Sequence, residues 1–287
     1  MTGDWREHID DVDPTVLLLG GLFTSPPMYA PTTRRLLRRG AAHVVIADVW
    51  LPDWLICLYR GPGAIVARSA RALIRANQVA EASDRSLGAP LLVIGHSAGG
   101  LTARLLTSEA PFAGRRLGAA RRIGAIVTLG TPHAVDERKK LGRLLAGAAT
   151  SFADTAVPGT AYSPTTSYLS VRSRFVLGHA SGNARERAAH QLYRGILPFP
   201  RVTVMAGDGL VPLRAAGLEG SEILTLDRIV HGQFGGSPWY GSDEAVDVWW
   251  PRAVALWREA LRARVALETD AIDVDTAAIE LGDARGA

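Results

Sequence analysis

Short apolar runs alternate with longer mixed segments through the first half of the chain. Thr15–Leu19 stops at Gly20-Gly21, which predicts a buried strand and then a turn. Pro31–Arg39 has helical spacing, with Leu36 and Leu37 apolar and a basic outer face. His43–Val49 predicts a second strand, and Trp50–Pro62, broken by Pro52, Gly61 and Pro62, predicts irregular chain. A helix over Gly63–Ala82, a strand over Pro90–Gly95, a helix over Ala98–Ser108 and a strand over Ile123–Leu129 follow. Strands apolar on both faces and separated by helices indicate a mostly parallel sheet covered on both sides, an α/β fold.

The rhythm breaks between His133 and Phe199, where Pro158, Gly159, Pro164 and many Ser and Thr residues intervene. Helical stretches are predicted near Glu137–Phe152 and Ala184–Leu197, with a strand-like piece at Tyr168–Val171. The segment 133–199 therefore reads as a lid-like insert. Strands at Arg201–Ala206 and Glu222–Leu226 resume the pattern, and a helix from Ser242 to about Ala266 is expected to kink or split at Pro251. Residues 1–266 read as a single domain, and 267–287, with six acidic residues and one arginine, as a disordered acidic tail.

Composition narrows the class. The 287 residues are 47% hydrophobic and 21% charged, which excludes a wholly disordered chain and supplies a sizeable core. No apolar run approaches the roughly 20 residues that span a bilayer. The polar, acidic start Met1–Pro14 does not read as a secretory signal, so a cytoplasmic protein is expected. Cys57 is the one cysteine, which excludes an internal disulfide and a cysteine-based zinc site. There is no His-Glu-x-x-His or carboxylate cluster, and Gly20-Gly21 lacks the third glycine of a dinucleotide fingerprint, so neither metal nor cofactor is expected. Of 32 basic residues only Lys139 and Lys140 are lysines; arginine content alone is too generic to indicate nucleic acid. The net charge of +4 conceals an acidic tail, so the body is more basic than the chain average.

Gly95-His96-Ser97-Ala98-Gly99 matches G-x-S-x-G. The match gains meaning from its place between a buried strand and a helix, where a strained turn would lift the Ser97 hydroxyl clear of the sheet. A serine hydroxyl needs a base. Seven histidines are available, and His231 alone follows the last predicted strand in a loop before the C-terminal helix, as the order Ser…Asp…His requires. The His96 side chain, at the sharp turn, is expected to point elsewhere. Asp208, in Gly207-Asp208-Gly209 just past a strand, is the preferred orienting acid, with Asp227 its rival. Backbone N–H groups of Ala98 and of Leu22, or alternatively Phe23, would form the oxyanion hole.

Gly-His-Ser-Ala-Gly-Gly, Thr128-Leu129-Gly130-Thr131-Pro132-His133, Gly207-Asp208-Gly209-Leu210-Val211-Pro212 and a late histidine, in this order, resemble an α/β-hydrolase of the lipase/esterase type. A closer resemblance is to bacterial and plant lipase-like proteins of the GPI inositol-deacylase-like group, through Leu218-Glu219-Gly220 and Trp239-Tyr240-Gly241-Ser242. The resemblance covers roughly Thr15 to Ala266. It implies a Ser97–Asp208–His231 triad and a structural His133. One departure is that Gly20-Gly21 stands where many lipases carry His-Gly, so a histidine that braces the oxyanion loop is missing.

The expected activity is serine hydrolysis of carboxylic esters, with acyl lipids as the substrate class. Thioesterase, amidase or acyltransferase chemistry would use the same triad, and a non-catalytic binding protein of this fold is the alternative from another class. An aspartate nucleophile, which dehalogenase or epoxide hydrolase chemistry needs, is absent from position 97. Trp54, Leu55, Trp239 and Tyr240 are candidate substrate-binding residues at an apolar mouth. Arg138, Lys139, Lys140 and Arg143, with Arg115, Arg116, Arg121 and Arg122, are a candidate contact for an anionic membrane.

Overall fold

The computed structural model describes residues 4–136, 138–139, 149–197, 204–233 and 238–283, with side chains as far as Asp270. The apolar runs form strands β1 (Thr15–Leu19), β2 (His43–Ile46), β3 (Leu91–His96), β4 (Ile123–Leu129), β5 (Ser167–Ser173) and β8 (Glu222–Leu226) of one sheet. Their order is β2-β1-β3-β4-β5-β8, and every pairing is parallel. Between them lie helices α1 (Ala30–Arg38), α2 (Leu51–Arg60), α3 (Gly63–Glu81), α4 (Ala98–Leu106), α5 (Ala184–Ile196) and α6 (Asp243–Asp283). This is the mostly parallel α/β sheet that the alternation of apolar runs and helices predicts.

The period of two along each strand divides the core. Val16, Leu18, Leu92, Ile94, Ala125 and Val127 face Leu36 of α1 and Trp249 and Trp257 of α6. Leu17, Leu19, Leu91, Val93 and Ile126 face Ala72, Leu73 and Ala76 of α3 and Ala103 and Leu106 of α4. The buried indoles satisfy their N–H groups: Trp257 donates to Pro90 O at 2.6 Å and Trp249 to Tyr240 O at 2.9 Å. Arg264, on α6, donates to the carbonyls of Thr165 (2.7 Å), Ala120 (2.9 Å), Ile123 (2.6 Å) and Arg121, pinning the helix to the N-terminal end of β4.

Several expectations are corrected. The chain over 50–62 is not irregular: Pro52 falls in the first turn of α2, where its missing N–H costs nothing, and Gly61 ends the helix. The segment 133–199 is not simply a lid, because β5 sits between β4 and β8 in the main sheet. The strand expected at Arg201–Ala206 does not rejoin that sheet. Residues 201–203 lie outside the described residues, and β7 (Val204–Gly207) pairs antiparallel with β6 (Val176–His179) in a separate ribbon. Of the helix expected near Glu137–Phe152, 137 and 140–148 lie outside the described residues, and 149–156 is helical. Pro251 lies inside α6 rather than dividing it, and the helix passes the expected tail boundary at Leu267, where Glu268 accepts from Arg6 Nε at 2.9 Å.

Candidate active site

The C-terminal ends of β1 and β3 meet at Ser97. Ser97 has φ 53° and ψ −125°, a strained conformation for a residue with a side chain, and its N–H donates to Leu129 O at 2.9 Å. The strain is maintained by close approach. A Cβ at Gly99 would lie 2.2 Å from Leu19 O, and one at Gly95 would lie 2.4 Å from Gly100 Cα. Only glycine lets β3, the turn and α4 close this tightly. Ala98 begins α4, so the positive end of its dipole lies beside Ser97.

The loop after β1 folds over the serine. A Cβ built on Gly21 would lie 2.9 Å from Ser97 Cβ. Phe23 has φ 60°, and the turn closes with Thr24 N donating to Gly21 O at 3.2 Å and Thr24 Oγ1 to the same oxygen at 2.7 Å. Among the described residues no hydrogen bond engages the backbone N–H of Leu22, Phe23 or Ala98. The N–H of Gly21 is used: it donates to the Tyr29 hydroxyl at 2.9 Å. Tyr29 thus braces the loop that lacks a histidine.

Asp208 and His231 form a hydrogen-bonded pair, with His231 Nδ1 2.8 Å from Asp208 Oδ2. The His231 N–H also donates to Asp208 O at 2.9 Å. The Asp208 carboxylate is 1% exposed. Its Oδ1 accepts from the N–H groups of Leu210 (3.0 Å) and Val211 (2.7 Å), and its Oδ2 from the Tyr240 hydroxyl (3.0 Å). Burial alone would push the carboxyl up, but the charge and hydrogen bond of His231 and the two backbone donors hold it below its usual range. A carboxylate can only accept, so Nδ1 of His231 carries the proton and its Nε2 is left as the acceptor. Asp227 pairs instead with Arg174 at 2.6 Å, both largely exposed.

Other assignments change. Trp239 and Tyr240 are buried rather than exposed. Trp239 is buried between Tyr29 and His96, with ring centroids at 6.0 and 5.4 Å, and Tyr240 is fully buried with its hydroxyl on Asp208. Trp54 is buried in the α3–α4 layer, while Leu55 is 48% exposed. Leu51, Ile56, Leu58 and Tyr59 of α2 are exposed with it, and α2 adjoins the loop after β1 through Ser25 Oγ, which accepts from Leu51 N at 3.2 Å. His96 points toward the site rather than away: its Nε2 lies 2.8 Å from His231 O, and its ring centroid is 5.0 Å from that of His231. His133 is buried against Thr128 Oγ1 at 3.1 Å, and burial pushes it down to about 3. In the basic run Arg138 pairs with Asp136 and Lys139 donates to Leu197 O at 2.6 Å, while Lys140 and Arg143 lie outside the described residues.

The roles of Tyr29, His96 and Tyr240 were missed in the sequence. His96 carried a signal, its place inside the motif; Tyr29 carried none. Among the described residues no group of three or more His, Cys, Asp or Glu could hold a metal ion, and no helix is long and apolar enough to cross a membrane.

No protein-family model matches the chain, and no curated protein is significantly similar to it. Solved structures with a similar fold include a dienelactone hydrolase from Anabaena variabilis, at 15% identity over 86% of this chain and 87% of that one, TM-score 0.42. An esterase from Thermogutta terrifontis matches at 16% identity over 88% and 81%, TM-score 0.40. A dienelactone hydrolase-like promiscuous phosphotriesterase from metagenomic libraries matches at 15% identity over 88% of each chain, TM-score 0.41.

Proposed function

We propose that the protein is a serine hydrolase that cleaves carboxylic esters through an acyl-enzyme on Ser97. The observation that carries this reading is the buried, four-times hydrogen-bonded Asp208 carboxylate on Nδ1 of His231, whose ring lies 5.0 Å from that of His96, the residue before the strained Ser97. His231 Nε2 takes the Ser97 proton as Oγ attacks the ester carbonyl. The resulting oxyanion is stabilised by the N–H of Ala98 and that of Leu22 or Phe23. The proton then passes from His231 to the leaving alcohol as the C–O bond breaks. Water, deprotonated by His231, attacks the acyl-enzyme, and the acid departs as Ser97 recovers its proton.

Acyl-lipid esters are the substrate class we favour. The apolar exposed row of α2 beside the oxyanion loop supports it, as does the sequence resemblance to lipase-like proteins of the GPI inositol-deacylase group. The same row, on a body richer in basic than acidic residues, supports peripheral contact with anionic membrane. Phosphatidylserine vesicles should retain the protein at low salt and release it at high salt; no retention at low salt removes the membrane contact.

Ser97→Ala should lower turnover of p-nitrophenyl esters by about 10³-fold or more and abolish labelling by a fluorophosphonate probe. Near-normal turnover in that variant would overturn the assignment. Labelling at Ser97 without ester turnover would move the substrate class to thioesters or amides. A series from short to long acyl chains tests the lipid preference.

A further inference from the structure

We propose that Tyr29 and His96 form a directional hydrogen-bond relay that locks the oxyanion loop to the loop carrying His231, with His96 held as its neutral Nε2–H tautomer. The direction of each bond follows from what its partner can do. The His231 carbonyl only accepts, so His96 Nε2, 2.8 Å away, must carry a proton. In a neutral imidazole Nδ1 is then an acceptor, and the Tyr29 hydroxyl 2.8 Å from it must donate. The Tyr29 oxygen keeps its lone pairs for the Gly21 N–H at 2.9 Å. Thr24 Oγ1 donates its own proton to Gly21 O and so is the rival acceptor for the Tyr29 proton, at 3.3 Å against 2.8 Å for His96 Nδ1; the shorter bond takes the proton. The chain runs Gly21 N–H to Tyr29 O–H to His96, and His96 N–H to His231.

Each end of this chain sits on a part of the site that must be placed. Gly21 covers Ser97 and precedes the two candidate oxyanion donors, while the His231 backbone carries the general base. Neither Gly21 nor His231 lies in a helix or strand, and the relay joins the two loops through side chains. The neighbours of His96 keep it neutral. The rings of His231 (5.0 Å), Trp239 (5.4 Å), Tyr29 (5.9 Å) and Tyr240 (6.3 Å) surround it, with Asp208 beyond His231. Burial, with His231 alongside, pushes His96 down to about 3, against weaker opposing effects of its bond to the His231 carbonyl and of Asp208. A neutral His96 adds no repulsion when His231 becomes an imidazolium. Both Tyr29 and His96 are positioning residues: they act through the loops and touch no reacting atom.

The catalytic half of this proposal rests on the serine-hydrolase reading, but the tautomer does not. Nitrogen-15 NMR of the full chain with labelled histidine, His96 being assigned by its loss in His96→Gln, should show an Nε2–H imidazole that does not titrate from about pH 5 to pH 8. An Nδ1–H tautomer, or protonation in that range, overturns the relay. For turnover of p-nitrophenyl acetate, Tyr29→Phe and His96→Phe should each lower kcat about tenfold with KM little changed. The double variant should lose no more than the worse single one, because either change cuts the same chain. His96→Gln, which can still donate to the His231 carbonyl, should retain more kcat than His96→Phe. Unchanged kcat in Tyr29→Phe, or losses that multiply, overturns the relay. Should Ser97→Ala retain full turnover, the catalytic reading falls, and the tautomer measurement still decides the relay.

Discussion

Tyr240→Phe separates two roles for one residue. Read from the sequence, Tyr240 lines a mouth; in the structure its hydroxyl donates to Asp208 Oδ2 at 3.0 Å, the oxygen that also accepts from His231. Burial and the nearby carboxylate push the phenol far above its usual value, so the hydroxyl remains a donor at any working pH. The substitution removes one hydrogen bond to a buried charge and leaves the ring in place. A bond of that kind is worth about 1.5–3 kcal/mol. For a chain of this size that lowers Tm by roughly 3–5 °C. The sign against pH follows from Asp208, whose carboxyl is held below its usual range. Its ionised form contributes stability above the unfolded pKa of about 3.9, and that contribution is lost as pH falls through the lower folded pKa. The Tm gap between wild type and Tyr240→Phe should therefore be full at neutral pH and narrow below about pH 4. Turnover should fall in kcat, with KM for a short ester little changed. Thermal melts at several pH values and steady-state kinetics read both. An unchanged Tm with a raised KM would refute the brace and return Tyr240 to the mouth.

Other substitutions test the remaining assignments. Asp208→Asn should lower kcat by about 10⁴-fold, because an amide can present an N–H to Nδ1 and favour the wrong tautomer of His231. Asp227→Asn, at an exposed ion pair with Arg174, should leave both kcat and the melting temperature near wild type. Gly99→Ala places a Cβ 2.2 Å from Leu19 O, with backbone on both sides of the contact, and should cost about 3 kcal/mol or more, read as a lowered melting point or loss of soluble protein. Arg264→Met removes the donor shared by four carbonyls and should cost about 3–5 kcal/mol, read as a denaturation midpoint shifted at constant slope.

The elements legible in the sequence are those whose cause is local. β1 and β4 occupy the predicted ranges, because a short apolar run bounded by turn residues has few other ways to bury itself. The Ser97 turn was legible for a related reason: a strand and a helix that close on one residue require small neighbours, and Gly95 and Gly99 are written beside it. Helix α2 was not legible, since Pro52 breaks a helix in its interior but not in its first turn, and the residues alone do not say where that turn falls. His231 and Asp208 could be named from their order along the chain, while their distance could not.

What only the tertiary structure decided concerns partners far apart in sequence. β5 lay inside a stretch that looked like a lid because nothing in seven residues says which edge of a sheet they will join. Tyr240 became a brace and Tyr29 the support of the loop after β1 because hydrogen bonds to Asp208 and His96 depend on which strand ends the fold brings together. The chain itself wrote the alternation of buried and mixed segments and the chemistry of a serine, an acid and a histidine. The fold wrote the directions of their hydrogen bonds, because a proton's place between two groups depends on geometry that no single segment contains.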